Sequence, residues 1–358
     1  MKILLVLEHY HPYIGGVEKL FKELSQSLAS QGHSVRVVTT RFRKDLPLRE
    51  NVQGVDIVRL PIANRYIFTF FGFFLGWKYS KGFDIIHTTS YNAALPASLM
   101  GLFRRRKTII TFHEVWGRLW FRLPMLSWAE RILFFTYEQF VLRLPFTKFI
   151  AVSDFTARSL LAYKTQHKVL RIYNGLEYQS STAVPAAEGK SFLYFGRLGV
   201  SKGLDVLLSA CEILAEKEIP FSLTIVIPKV PSAFFNTITA QIATSNYRQN
   251  IIMKHQLSDG ELQEEILSAG SIIIPSYSEG FCFAAAEVCA LGKPVIHSGR
   301  GALPEVVSGR NIQLAHLDGS SLAQAMQDAL QSKWQTAPAR RFHLADTVAQ
   351  YIAEYSQL

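Results

Sequence analysis

Short apolar runs alternate with helix-period stripes along almost the whole chain. Ile3–Leu7 is continuously apolar, as a strand buried on both faces of a parallel sheet should be. After the loop His9–Gly16, the residues Val17, Leu20, Phe21, Leu24 and Leu28 fall at i, i+3, i+4, i+7 and i+11, one stripe down a helix. Gln31-Gly32-His33 ends that helix, and Val35–Thr39 reads as the next strand. Val55–Leu60, Asp84–His87, Thr108–Phe112, Phe149–Val152 and Val169–Tyr173 continue the series. The segment Tyr178–Gly189 is small and polar and reads as a linker. Beyond it, strands are expected at Ser191–Phe195, Ser222–Ile227, Asn250–Lys254, Ser271–Ile274 and Pro294–His297. Helices are expected at Leu204–Lys217, Gly260–Ala269, Ala284–Leu291 and Ser320–Gln331.

This repetition predicts an α/β protein with two Rossmann-like lobes, residues 1–177 and 191–335, whose parallel sheets face each other across a cleft. Residues 178–190 would link them, and a helix within 336–358 is expected to cross back to the first lobe. In open parallel sheets ligands bind outside the carboxyl ends of the strands, so the chemistry is to be sought in the loops there.

Length agrees, since 358 residues at about 150 per domain make two. A 49% hydrophobic and 18% charged composition excludes a disordered chain. Three cysteines, Cys211, Cys282 and Cys289, are too few for a disulfide framework and suit a reducing compartment. No apolar stretch reaches the ~18 residues of a membrane span. The greasiest run, Ile67–Trp77, stops at eleven. A soluble, cytoplasmic protein is the expectation.

Charge changes the picture. Residues 1–175 carry 25 Lys/Arg against 11 Asp/Glu, while the rest of the chain carries 13 against 17. The basic half has no basic helix, zinc-ligand spacing or RNA-binding aromatic motif, which argues against nucleic acid. It interleaves Arg104-Arg105-Arg106-Lys107, Arg118, Arg122, Arg131 and Arg143 with Trp, Phe and Leu. That mixture suits an anionic membrane surface. Aromatics packed in a large core are the plainer account.

Three motifs carry chemistry. Gly15-Gly16 stands at a strand-to-helix turn, where close backbone approach and exposed N–H groups suit a phosphate or a sugar. A merely tight turn would use the same residues. Gly196-Arg197-Leu-Gly-Val-Ser-Lys202-Gly203 places a guanidinium at a strand end and an ammonium before a helix, the parts of a diphosphate clamp. Glu279-Gly280-Phe281-Cys282-Phe283 continues to Glu287 and puts two carboxylates eight residues apart across a helix start. With the helix beginning near Phe283, both can address one ligand. Free N–H groups are expected between them at Phe281 to Phe283.

Together these residues resemble the retaining nucleotide-sugar glycosyltransferases of family 4, which have the two-lobed GT-B fold, and the resemblance covers nearly the whole chain. Gly196-Arg197 through Lys202-Gly203 is similar to that family's diphosphate-binding motif. Glu279 to Glu287 resembles its paired-glutamate signature, the first contacting the donor sugar and the second the ribose. Gly15-Gly16 is similar to its amino-terminal glycine loop, and His113 to the histidine that approaches the sugar. Tyr173-Asn174-Gly175 and Leu303 to Val307 are similar to lesser landmarks. The resemblance thus implies catalytic roles for His113, Arg197, Lys202 and Glu279. It implies donor contacts for Gly15, Gly16, Gly196, Gly280, Phe281, Cys282, Phe283 and Glu287.

Departures are visible too. Cys282 stands where the family usually has glycine, Glu114 follows His113 where Asp is commoner, and Pro228-Lys229-Val230-Pro231 replaces a usual Gly-x-Gly loop.

No Asp-x-Asp occurs, so no metal and no cofactor is expected, the nucleotide sugar being a substrate. His9 and His11 have no cysteine or carboxylate at zinc-ligand spacing, and a structural or polar role is the expectation for them. The resemblance implies retention of anomeric configuration by front-face attack, on a glycan or lipid-linked acceptor. A nucleotide-sugar epimerase or hydrolase on the same fold, and a non-catalytic binding subunit, are the rival readings.

Overall fold

The computed structural model describes residues 1–13, 15–124, 126–178, 191–229 and 232–358. Apart from Tyr178, the expected linker lies outside the described residues, as do Val230 and Pro231. The chain forms two compact units, Met1–Trp120 with Ala129–Glu177 and Phe342–Leu358, and Phe121–Trp128 with Tyr178–Arg341.

The first unit opens with β1 (Lys2–Val6), α1 (Gly16–Ser30), β2 (Ser34–Thr40), β3 (Arg49–Val52) and β4 (Val55–Leu60). It continues through α2 (Arg65–Gly76), β5 (Ile85–Thr89), α3 (Ala94–Arg104), β6 (Lys107–Phe112) and α4 (Trp128–Arg143). β7 (Lys148–Ala151), α5 (Asp154–Leu161) and β8 (Val169–Arg171) follow. Among the described residues the sheet has eight strands in the order β3-β4-β2-β1-β5-β6-β7-β8. All pairings are parallel except β3 with β4. β3 reads Arg-Glu-Asn-Val, too polar and too short to stand out as a strand, and it is an edge, where one free ladder tolerates such residues. The apolar stripe foreseen on α1 is buried through Leu20, Phe21, Leu24 and Leu28.

The second unit runs β9 (Ser191–Phe195), α6 (Leu204–Glu216), β10 (Ser222–Val226), α7 (Ala233–Thr244) and β11 (Ile251–Lys254). Next come α8 (Asp259–Ser268), β12 (Ser271–Ile274), α9 (Phe283–Ala290), β13 (Val295–His297) and α10 (Leu303–Val306). β14 (Gly309–Gln313), α11 (Gly319–Leu330) and β15 (Gln335–Ala337) complete it. Its described sheet orders as β11-β10-β9-β12-β13-β14-β15, parallel except for the last pair. Its core gathers Leu207, Leu208, Cys211 and Leu214 of α6 with Leu322 and Met326 of α11, beneath Leu223 and Ile225 of the sheet.

The last helix, α12 (Leu344–Ser356), belongs to the first unit. Tyr355 meets His87 Nδ1 through its hydroxyl at 2.7 Å, Tyr351 meets Thr111 Oγ1 at 3.0 Å, and Thr347 donates to the Tyr173 carbonyl at 2.8 Å. His87 is fully enclosed, and burial, with His113 nearby, pulls its pKa down to about 3. It is therefore a neutral ring whose two nitrogens join β5 to α12 and β6.

Candidate active site

In each sheet the chain starts at a central strand, works outward to one edge, and then returns to the other side of that strand. The switch points are β1/β5 in the first unit and β9/β12 in the second. Loops leaving adjacent strands in opposite directions open a crevice there, which is where open parallel sheets bind ligands.

At the β9/β12 switch the structure brings Lys202 and Glu279 together. Lys202 Nζ donates to Glu279 Oε1 at 2.8 Å, and the buried Ser276 hydroxyl donates to the same oxygen at 2.7 Å. The lysine side chain is 27% exposed and the glutamate 7%, and the consequence of the pair is positional. An ammonium has three donors, and one is committed to Glu279.

The two loops are stitched more firmly by backbone. Tyr277 N donates to the Ser201 carbonyl at 2.8 Å, and the Tyr277 hydroxyl donates to Asp205 Oδ2 at 2.6 Å. Gly203, at φ +71°, is packed so that a Cβ would lie 2.0 Å from the Pro275 oxygen. Only glycine fits, by conformation and by space. Gly301, at φ +66°, does the same for the Glu279 backbone, where a Cβ would approach the carbonyl oxygen to 2.2 Å. The neighbouring Ala302 N donates to that oxygen at 2.7 Å. Glu279 is thus held from both sides by loops that follow β9 and β13.

Other expected residues are placed as follows. Gly196 and Arg197 leave β9 exposed, and Gly196 has open space around it at φ +149°. Arg197 forms no ion pair among the described residues. Gly280 and Phe281 are buried, and the Phe281 ring packs edge-on to Phe283 at 5.4 Å. Glu287 lies half-buried in the second turn of α9.

Cys282 caps α9, which begins at Phe283 as expected, and its first-turn N–H groups run on through Ala284 and Ala285. Cys282 adopts φ +75°, a left-handed conformation that favours glycine. The backbone there keeps the shape a glycine would take, at a cost of about 1 kcal/mol. Burial, with Glu279 nearby, pushes the Cys282 thiol pKa well up.

In the first unit Gly15 caps α1 and Gly16 opens it. Glu8 follows β1 and accepts from Asn92 Nδ2 at 2.6 Å, with Arg65 Nη1 3.4 Å away. His113 follows β6, its ring 6.3 Å from that of Phe21. The loop after it is held by the buried Glu138 of α4, which accepts from Trp116 N at 2.8 Å, Gly117 N at 2.6 Å and the Tyr91 hydroxyl at 3.0 Å. Burial raises the Glu138 pKa against those donors.

Gly301, Glu8, Asn92 and Glu138 were invisible to motif reading. The partners named for them lie 21 or more positions away in sequence, and only the packing of separate loops makes them neighbours.

Two Rossmann-like units, the second with a lysine–glutamate pair at its switch point, define the architecture of a GT-B glycosyltransferase. The chain belongs to the family 4 glycosyltransferases. Residues 14–179 match the model described as Glycosyltransferase Family 4, and residues 180–341 the one described as Glycosyl transferases group 1.

Among curated relatives, one subunit of the human phosphatidylinositol N-acetylglucosaminyltransferase is 26% identical over 94% of this chain and 70% of its own. The GDP-mannose:cellobiosyl-diphosphopolyprenol alpha-mannosyltransferase of Xanthomonas campestris is 24% identical over 99% of this chain and 96% of its own. Sucrose-phosphate synthase from Thermosynechococcus elongatus superposes with a TM-score of 0.78 at 21% identity, covering 99% of this chain and 98% of that one. Anabaena HepE in complex with UDP-glucose gives 0.75 at 15%, over the whole of both chains.

Proposed function

We propose that this enzyme transfers a sugar, with retention of configuration and without a metal ion, from a nucleoside-diphosphate sugar to a hydroxyl of a lipid-linked or membrane-bound glycan. The observation that carries the proposal is the Lys202–Glu279 pair at the switch point, held by Gly203 and Gly301.

Glycosyl transfer develops negative charge on the departing diphosphate. Arg197, Lys202 and the N–H groups of Phe283 to Ala285 are the groups to receive it. Preorganised donors of this kind are worth about 3–4 kcal/mol each. Glu279, fixed by Ser276 and Lys202, turns its other oxygen to sugar hydroxyls, and Glu287 serves the ribose. His113 enters as a sugar contact through the family resemblance. The base is assigned to the ends of β10 and β11, where His255 Nδ1 bonds the Ile227 carbonyl at 2.7 Å. Two relatives carry names that specify lipid acceptors, a diphosphopolyprenol and a phosphatidylinositol, which supports an acceptor at the cytoplasmic membrane face.

Thermal-shift measurements with UDP- and GDP-sugars test the donor. A ligand at 100 times its Kd adds about 2.7 kcal/mol of stability. Lys202→Ala and Glu279→Ala should each lower turnover about 100-fold or more with unchanged circular dichroism. Near-normal rates in either variant would remove the assignment.

A further inference from the structure

Helix α2 is apolar around its whole circumference, and only half of it is covered. Phe68, Thr69, Gly72 and Gly76 are buried. Tyr66, Ile67, Phe70, Phe71, Phe74 and Leu75 face solvent, with Phe74 70% exposed. At about 100° per residue those six fill one continuous half of the helix surface. Helix α3 extends the patch through exposed Leu102 and Phe103, the latter ring 5.5 Å from that of Phe73. Five aromatic rings, each more than half exposed, leave roughly 500 Å² of apolar surface. That is the size of the largest patch on a typical monomer, about 300–600 Å², which is often a functional surface.

The rim is cationic. No Asp or Glu occurs between Arg65 and Phe83, nor between Ala94 and His113. Arg65, Lys78, Lys81, Arg105, Arg106 and Lys107 are all exposed. Arg104 is the exception in the basic run. Its guanidinium lies 3.6 Å over the Trp77 ring and donates to the Trp77 carbonyl and the Ser80 hydroxyl, fastening α3 to the turn after α2. Asp84 shares the surface beside Arg105, Arg106 and Lys107, and the rim stays predominantly cationic. An aromatic face inside such a rim matches a bilayer, whose acyl boundary lies beneath a layer of phosphates.

The same helix reaches the ligand end of its sheet. Arg65 approaches Glu8 at 3.4 Å, and the Thr69 hydroxyl donates to Asn92 Oδ1 at 3.0 Å. Its first turn is thereby bonded to the carboxyl ends of β1 and β5.

We propose that the α2–α3 face is a membrane-insertion surface. The rings of Phe70, Phe71 and Phe74 enter the acyl boundary of an anionic leaflet while the arginines and lysines engage its phosphates. A lipid-linked acceptor then enters beside Glu8 and Asn92, a placement that rests on the acceptor reading above. Insertion of apolar rings, rather than charge alone, holds the protein there.

The test is sedimentation of the full chain with vesicles of phosphatidylcholine and phosphatidylglycerol in equal parts, without donor or acceptor, at low and high salt. The wild type should bind at both, more weakly at high salt. Phe70→Ser combined with Phe71→Ser and Phe74→Ser should lower the partition about tenfold or more at either salt. Arg105→Gln with Arg106→Gln and Lys107→Gln should remove only part of the salt-sensitive binding. Circular dichroism and the donor-induced thermal shift report that each variant is folded.

Wild-type binding by the phenylalanine variant overturns the proposal. So does absence of binding by the wild type, or a wild-type dimer that the variant dissolves while vesicles go unbound. Absence of vesicle binding by the wild type with its donor shift intact refutes insertion alone. A missing donor shift with vesicle binding intact refutes the donor assignment alone.

Discussion

Replacing Gly203 by alanine tests whether the close packing of two loops is what positions Lys202 against Glu279. At φ +71° the added methyl would stand 2.0 Å from the Pro275 carbonyl oxygen and 2.7 Å from its carbon. Both are backbone atoms, so no side-chain rotation relieves the overlap, and the loops after β9 and β12 must part by roughly 1 Å. The left-handed conformation costs alanine about 1 kcal/mol. Overpacking against backbone adds about 1–3 kcal/mol. A loss near 3 kcal/mol lowers Tm by about 6–12 °C in a domain of this size.

Catalysis should suffer more than stability, because a misplacement of about 1 Å can cost 100-fold in rate. Gly199→Ala is the internal control, since its methyl would rest 3.6 Å from Lys202 Cγ, an ordinary contact. Thermal unfolding and donor turnover of both variants make the assay. If Gly203→Ala melts within about 1 °C of wild type and keeps its turnover, the glycine contact does not hold the pair.

Three further outcomes are expected. Burial keeps His87 neutral down to about 3, with His113 adding to it, and keeps His297 neutral down to about 4. The unfolded rings take up protons below the ordinary 6.5, so stability is full above that value and falls as pH drops towards 3–4. At pH 5 each should cost about 2 kcal/mol, and a urea midpoint unchanged between neutral pH and pH 5 would refute this. Cys282→Gly should leave Tm unchanged or slightly raised, because relief of its φ +75° conformation offsets the lost thiol packing; a clear drop on thermal unfolding would contradict it. Donor turnover should survive EDTA, as cationic side chains and helix N–H groups carry the diphosphate charge, and a strict Mg²⁺ or Mn²⁺ requirement would show the clamp misplaced.

The α/β class, the two-lobed repeat and most strands were legible in the chain itself. A strand buried on both faces must be continuously apolar, and a surface helix must carry a stripe, so Ile3–Leu7 and Val17 to Leu28 announce themselves locally. Arg197, Lys202 and Glu279 were legible for a similar reason, since residues at strand ends and helix starts can be placed by counting. The polar edge strands Arg49–Val52 and Gln335–Ala337 were not, because an edge need not be apolar.

What tertiary structure alone decided is which distant residues meet. Lys202 and Glu279 are 77 positions apart, and Glu8 and Asn92 are 84. Their contacts exist because the strand order reverses at β9/β12 and β1/β5. Exposure was decided there as well. The run Ile67–Trp77 has the composition of a core helix, and local pattern cannot say whether a neighbour covers its second face. In the folded unit none of the described residues does, and Phe70, Phe71 and Phe74 remain in solvent.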